Sequence, residues 1–244
     1  MAGSGLPYRL VGCSALVEIS RPRQNRVTPY GDIVAASARG LFMGNRGDLH
    51  APDGTYSGQQ YANRAWLCCT LKHRAGRRIS FDVPGRYYPL FFFDEAVALA
   101  AGHRPCGQCR SDRLMEFKRA WEIALSMTET ISTRAIDAEL HRYRRARRAR
   151  CEDASLLPNG TFVEVPIGGP ALVYDGKLHP WCWEGYGPPY SLSGSERVRV
   201  VTPDPMVLVL SSGYVPTLHS SLSSEPAMVG SPLGAGVVQQ VARD

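Results

Sequence analysis

The sequence predicts an α+β protein, because its helical and strand-like segments are grouped along the chain. Segments with helical spacing lie between residues 94 and 150, and strand-like segments dominate residues 158–219. A Cys-x-x-C motif at Cys106 and Cys109 stands between the first two expected helices. We therefore expect a small α/β module stapled at this motif, then a basic helix and a small β-rich subdomain.

The composition is that of an ordinary globular chain. The 244 residues are 44% hydrophobic and 20% charged, which excludes collagen, coiled coil and wholesale disorder. No run approaches the roughly 18 consecutive apolar residues of a membrane-spanning helix, and no apolar signal region precedes Cys13. We expect a cytoplasmic protein that does not span a membrane, and the oligomeric state is open.

The first part of the chain predicts short strands and loops. Residues 1–26 are expected to form an irregular arm, and the Gly-rich stretch from 27 to 61 indicates short strands joined by turns. Residues 65–70 and 78–83 have strand composition, and the basic turn between them contains Gly76. They are expected to form a hairpin.

Three helices follow. Asp94 is a good N-cap for a short alanine-rich helix over 96–101, and Gly102 is a suitable residue to end it. The Cys-x-x-C motif opens a second helix over 111–126, and residues 132–150 predict a third whose end is strongly basic.

The remaining sequence is mostly β-like. Strands are expected at 162–165, 171–174, 177–183 and 197–201, with an Asp175-Gly176 hairpin turn, and a short helix at 203–212. The resulting divisions are an arm (1–26), a cysteine-containing module (27–127), a basic helix and linker (128–157), a β-rich subdomain (158–219) and a flexible tail (220–244).

The cysteines indicate a metal site. Cys106 and Cys109 have the spacing that lets two thiolates reach one ion, and a helix N-terminus favours the thiolate form. The second half of the site is expected from Cys68 and Cys69. Adjacent strand residues point to opposite faces, so Cys68 and Cys69 are not expected to bind one ion together without a bulge. The candidates for the fourth ligand are the other cysteine, His73 and His50. Zn²⁺ is the expected metal, and the alternative is a redox pair or buried small residues.

Residues 93–110 contain a short helical stretch followed by the Cys-x-x-C motif. They read Phe-Asp-Glu-Ala-Val-Ala-Leu-Ala-Ala-Gly-His-Arg-Pro-Cys-Gly-Gln-Cys-Arg. With the preceding strand, the stretch from Trp66 to Arg110 resembles the zinc-binding module of Ada-type DNA alkylation repair proteins. The resemblance implies a zinc-stapled α/β module with four thiolates, one of which accepts a methyl group from a DNA phosphotriester. Cys106 and Cys109 match the last two ligands, and Cys69 or Cys68 matches one of the first pair. The family separates that first pair by three residues, whereas here the two cysteines are adjacent.

The positive charge of the chain is concentrated near this motif. Residues 104–150 contain twelve Lys and Arg against six Asp and Glu, a balance equal to the whole chain's net charge of +6. Six arginines fall within nine residues, and this density suits phosphate contact. They are Arg142, Arg144, Arg145, Arg147, Arg148 and Arg150. The expected partner is nucleic acid, DNA in the first instance, and the alternative is a solvated helix end.

Three functions remain open. The first is a zinc-containing nucleic-acid-binding protein. The second is a metal-dependent enzyme on nucleic acid or a methyl-phosphotriester acceptor, with polar candidates at Asp137, Glu139, His141, His179 and His50 but no assigned catalytic residue. The third is a purely structural zinc site in a protein of unrelated role. A closed all-sulfur site would favour structure, and three ligands plus water would favour hydrolysis.

Overall fold

The computed structural model describes residues 22–72, 88–146, 150–165, 168–191 and 197–223. These residues form two six-stranded sheets and four α-helices. The predicted α+β class is therefore confirmed. Among these residues, every helix falls short of the length and apolar character that crossing a membrane requires.

The first sheet contains the strands that carry the cysteines. Its members are β1 (Gln24–Val27), β2 (Ile33–Ala35), β3 (Phe42–Asn45), β4 (Leu67–Thr70), β5 (Leu90–Phe92) and β6 (Arg104–Pro105), in the order β2-β1-β5-β3-β4-β6. Strand β4 pairs antiparallel with β3 and parallel with β6, with Cys68 opposite Pro105. This pairing brings the residue after β6, Cys106, beside the end of β4.

The described residues contain the four predicted helices, and the end of one of them differs. They are α1 (Glu95–Ala100), α2 (Ser111–Ala124), α3 (Thr133–Ala146) and α4 (Asp204–Ser211). Asp94 caps α1 as expected, because its carboxylate accepts a hydrogen bond of 3.0 Å from the backbone N–H of Val97. Gly102 follows α1 with a φ of 84°, the left-handed conformation that favours glycine at a helix end.

The second sheet is built from the C-terminal half. Its strands are β7 (Arg150–Asp153), β8 (Phe162–Val165), β9 (Gly169–Tyr174), β10 (Lys177–Cys182), β11 (Gly185–Tyr186) and β12 (Arg197–Val200), in the order β11-β10-β9-β8-β12-β7. Asp175 and Gly176 join β9 to β10 with positive φ at both positions. This is the two-residue hairpin turn that the sequence predicts.

One helix prediction is wrong at its end. Helix α3 stops at Ala146, and Arg150 begins β7, where it pairs with Val200 of β12. The helical composition of the segment is overridden by this pairing with a distant strand. Arg147 and Arg148 lie outside the described residues.

Other boundaries differ less. Strand β1 begins at Gln24, inside the expected irregular arm, and a 3₁₀ turn occupies Ser220–Leu222 at the start of the expected tail. The predicted strand at 78–83 and its basic turn lie outside the described residues, as do most of the arm and of the tail.

Helix α1 is the shared element of the core. All six of its residues are buried, and Ala96, Val97 and Ala98 belong to one apolar cluster with Phe92 of β5 and Phe162 of β8. Both sheets therefore pack around the same short helix. A second cluster joins α2, α3 and α4, and this packing holds α2 behind the cysteine motif.

Candidate metal centre

Three cysteines meet at the junction of β4, β6 and α2. The Sγ atoms of Cys69, Cys106 and Cys109 all lie within 4.8 Å of one another. Cys69 belongs to β4, Cys106 follows β6, and Cys109 lies two residues before α2. These three residues are called the cysteine cluster below.

Backbone hydrogen bonds fix the position of this cluster. The N–H of Cys106 donates to the carbonyl of Cys68 at 3.0 Å, which extends the β4–β6 pairing to the motif itself. The N–H of Arg110 donates to the carbonyl of Cys106 at 2.9 Å and closes the turn that leads into α2. The turn therefore carries both thiols of the motif to the end of β4.

Gly107 has a packing role in this turn. Its φ is not among the positive values, so no left-handed conformation requires glycine here. A Cβ at this position would lie 3.0 Å from Cδ2 of Leu114. The turn thus lies close to α2, and a larger residue at this position would require the side chain of Leu114 to shift.

The thiols of the cluster interact directly. Hydrogen bonds from Cys109 and Cys69 lower the pKa of the Cys106 thiol, and the corresponding hydrogen bonds to Cys106 and Cys109 raise the pKa of the Cys69 thiol. Cys69 and Cys106 are buried, and Cys109 is partly exposed. The sulfur atoms are thus close enough to share protons, and a bound cation takes the place of such protons when thiolates ligate a metal.

Cys68 points away from the cluster. Its Sγ accepts a hydrogen bond of 3.2 Å from Nη1 of Arg110, and its side chain is 1% exposed within the apolar core. Burial raises the pKa of this thiol. The two adjacent cysteines therefore lie on opposite faces of β4, as the alternation of a strand requires.

The histidines considered as fourth ligands are placed differently. The Nε2 atom of His50 is 2.9 Å from the carbonyl of Gln24, and its ring packs near Tyr56 and Tyr88. His73 lies outside the described residues. The structure thus brings Cys69, Cys106 and Cys109 together, and neither Cys68 nor His50 joins them.

A buried ion pair holds in place the residue that follows the cysteine motif. The guanidinium of Arg110 lies 2.9 Å from the carboxylate of Glu95, whose side chain is fully buried. Glu95 also accepts hydrogen bonds from the Tyr214 hydroxyl at 2.5 Å and the Thr217 N–H at 2.8 Å. The residue that follows Cys109 is therefore tied both to α1 and to the C-terminal segment. No local pattern in the sequence indicates this network of Glu95.

The remaining polar candidates have structural partners. Asp137 forms a bidentate pair with Arg104, with distances of 2.8 and 2.7 Å, and the ring of His141 packs edge-on against Tyr61 at 5.0 Å between centroids. The ring of His179 lies 6.0 Å from that of Tyr174. The buried pair of Asp137 and Arg104 fixes α3 against β6.

The arginines of the basic segment divide into inward and outward groups. Arg144 donates to the carbonyls of Gly102 and Arg64, and Arg150 lies 3.2 Å from Asp204. Arg142 pairs with Glu139 on the outer surface of α3, and Arg145 is exposed. The segment is therefore not one uniform basic face.

No family model, curated protein or solved structure matches the chain. The resemblance to the Ada-type module consequently depends on the residues quoted above.

Proposed function

We propose that the chain is a zinc-binding protein whose metal is held by the thiolates of Cys69, Cys106 and Cys109. The observation that supports this proposal is the clustering of three sulfur atoms within 4.8 Å. A tetrahedral zinc ion with Zn–S bonds of about 2.3 Å places its sulfur ligands about 3.8 Å apart. The cluster is therefore compatible with a zinc ion at its centre after small side-chain adjustments.

The donor set favours zinc over harder cations. Thiolates are soft ligands that select zinc, copper(I) or iron–sulfur clusters, whereas calcium and magnesium require oxygen ligands. The two-residue spacing of Cys106 and Cys109 is one that structural zinc sites use. When bound, the ion supplies a cross-link between β4, β6 and α2. The ion pair between Arg110, which follows the motif, and Glu95 connects this junction to α1.

The fourth coordination position distinguishes the remaining functions. In the described part of the chain no fourth His, Cys, Asp or Glu joins the cluster. A ligand from residues outside the described ranges, such as His73, would close the site and favour a structural role. An exogenous water would instead leave an open position of the kind that hydrolytic enzymes use.

Metal analysis of two matched variants tests the site. The purified full-length protein is expected to contain one equivalent of zinc. Cys69→Ser is expected to lose most of it, while Cys68→Ser, one residue away on the same strand, retains it. X-ray absorption then counts sulfur ligands near 2.3 Å against nitrogen or oxygen ligands near about 2.0–2.2 Å. A folded, zinc-free wild type, or equal zinc loss in both variants, would contradict the proposal.

We further infer that the outer surface of α3 contacts nucleic acid. The inference is supported by the exposure of Arg142 and Arg145 and by the concentration of positive charge in this part of the sequence. Arg104 and Arg144 anchor α3 from within through Asp137 and the carbonyl of Gly102. The helix would therefore present its outward arginines on a fixed support.

The salt dependence of DNA binding tests this second proposal. The double variant Arg142→Gln, Arg145→Gln is expected to reduce the slope of log Kobs against log salt by about 0.9 per lost phosphate contact. Arg134→Gln removes one exposed arginine at the other end of α3 and serves as the control, with the change in slope compared per charge removed. An unchanged slope in the double variant would remove α3 from the interface. A mass increase of one methyl group on Cys69 after incubation with alkylated DNA would instead identify a methyl acceptor.

A further inference from the structure

A second site lies where α3, the start of α4 and the loop after β1 meet. The cleft is lined by Gly31, Gln60, Tyr143, Arg144, Arg150 and Asp204, among others, and none of the three clustered cysteines lines it. Two arginines, Arg144 and Arg150, therefore line the same cleft, and clustered positive charge attracts anions.

Arg144 is incompletely satisfied. Its Nε donates to the carbonyl of Gly102 at 3.1 Å and its Nη1 to the carbonyl of Arg64 at 2.9 Å. Its Nη2 is buried and has no hydrogen-bond partner among the described residues. The guanidinium also lies 4.3 Å from the ring centroid of Trp66. Burial lowers the pKa of Arg144 to about 9, the direction expected of a desolvated cation that an anion would stabilise.

One carboxylate, that of Asp204, also lines the cleft. Arg150 lies 3.2 Å from Asp204, the first residue of α4, and 3.9 Å from Glu152. The N-terminal end of α4 contributes a partial positive charge toward the same space. Two cations, Arg144 and Arg150, and one carboxylate, Asp204, are thus the ionised side chains that line the cleft.

We propose that this cleft binds a phosphate group. A guanidinium fork matches the geometry of phosphate oxygens. The Nη2 of Arg144 is a buried donor without a partner among the described residues, and a small shift of the side chain would turn it toward a phosphate in the cleft. The tyrosine ring of Tyr143 at the rim suits a ligand that carries more than the phosphate alone. The cleft contains none of the proposed cysteine ligands. The phosphate proposal is therefore independent of the zinc proposal.

Calorimetric titration of the full-length protein with inorganic phosphate tests the site, with chloride at matched ionic strength as the reference. Gln60→Glu, which adds a negative charge at the cleft, is expected to weaken phosphate binding about tenfold. Gln59→Glu makes the same charge change at the adjacent exposed residue, which does not line the cleft, and is expected to bind as the wild type does. Asp204→Asn removes the competing carboxylate and should tighten binding.

The source of the phosphate is distinguished by two further probes. Adenosine monophosphate represents a free nucleotide, and a short DNA strand is compared with and without a 5′-phosphate. Competition with inorganic phosphate by either phosphate-bearing probe supports the proposal, and the tighter probe identifies the source. Absence of phosphate binding, or equal weakening by Gln60→Glu and Gln59→Glu, would overturn it. Zinc content measured on the same samples shows whether a failure concerns this site or the metal centre.

Discussion

Asp94 and Glu95 are adjacent, fully buried carboxylates whose surroundings differ in charge. Glu95 faces the guanidinium groups of Arg110 at 2.9 Å and Arg113 at 3.5 Å. The carboxylate of Asp94 receives only neutral donors, among them the hydroxyl of Tyr186 at 2.6 Å. The opposite pKa shifts of the two groups follow from this difference. Burial raises the pKa of Asp94 to about 6, whereas Arg110 above all outweighs burial and lowers the pKa of Glu95.

The two carboxylates should therefore affect stability with opposite pH dependence. The native pKa of Asp94 is about 2 above its unfolded value of 3.8. At 1.36 kcal/mol per pH unit, this group reduces the free energy of unfolding by about 3 kcal/mol as pH rises from about 4 to 6. Glu95 has a depressed native pKa, so its stabilisation is present above its unfolded pKa of 4.5 and is lost as pH falls through the native pKa.

Chemical denaturation of Asp94→Asn and Glu95→Gln between pH 3.5 and 8 (roughly the range in which both groups titrate) measures these effects. Relative to the wild type, Asp94→Asn should gain about 3 kcal/mol between pH 4 and 6. Glu95→Gln should lose about 3–5 kcal/mol at pH 7, because the buried guanidinium of Arg110 loses its carboxylate partner, and this deficit should shrink below pH 4.5. Samples of equal zinc content are compared, so that metal release cancels. A flat difference for Asp94→Asn, or parallel curves for both variants, would refute this reasoning.

Three further predictions concern packing and the metal. Arg104→Met should cost about 3–5 kcal/mol in urea denaturation, because it leaves the buried carboxylate of Asp137 unpaired, and a cost below about 1 kcal/mol would contradict that role. Gly40→Ala places a Cβ 2.0 Å from the carbonyl oxygen of Phe92 and should cost at least about 1–3 kcal/mol, whereas Gly187→Ala meets only ordinary contacts and should be neutral. Removal of zinc with a chelator should lower the thermal midpoint of the wild type but not that of a folded Cys69→Ser variant, and an equal midpoint with and without chelator would argue against a structural ion.

Much of the fold was accessible from the sequence because its signals are local. The N-cap at Asp94, the glycine at the end of α1 and the Asp175-Gly176 turn each act within a few residues. These features mark their elements whatever surrounds them. The end of α3 was mispredicted because β7 depends on pairing with β12, about fifty residues away. The local composition of the segment carries no information about this distant strand.

The same distinction between local and long-range signals applies to the candidate metal site. The proximity of Cys106 and Cys109 is a property of their spacing, and the separation of Cys68 from Cys69 is a property of strand alternation. The choice between these two adjacent cysteines required knowledge of which face of β4 looks toward the motif. That orientation is set by the parallel pairing of β4 with β6, which no short-range pattern encodes.

The arginines show why charge density is a weak guide to a surface. Arg144 and Arg145 are neighbours in sequence, yet on a helix they are about 100° apart, so one turns inward and the other outward. Arg144 donates hydrogen bonds to the carbonyls of Gly102 and Arg64 and packs against the ring of Trp66. Arg145 is exposed. The inward arginine lines a cleft, and the outward one belongs to a solvent-facing surface. A single cluster of positive charge in the sequence thus supplies two separate environments, which calls for separate tests of phosphate binding in the cleft and of nucleic-acid contact on α3.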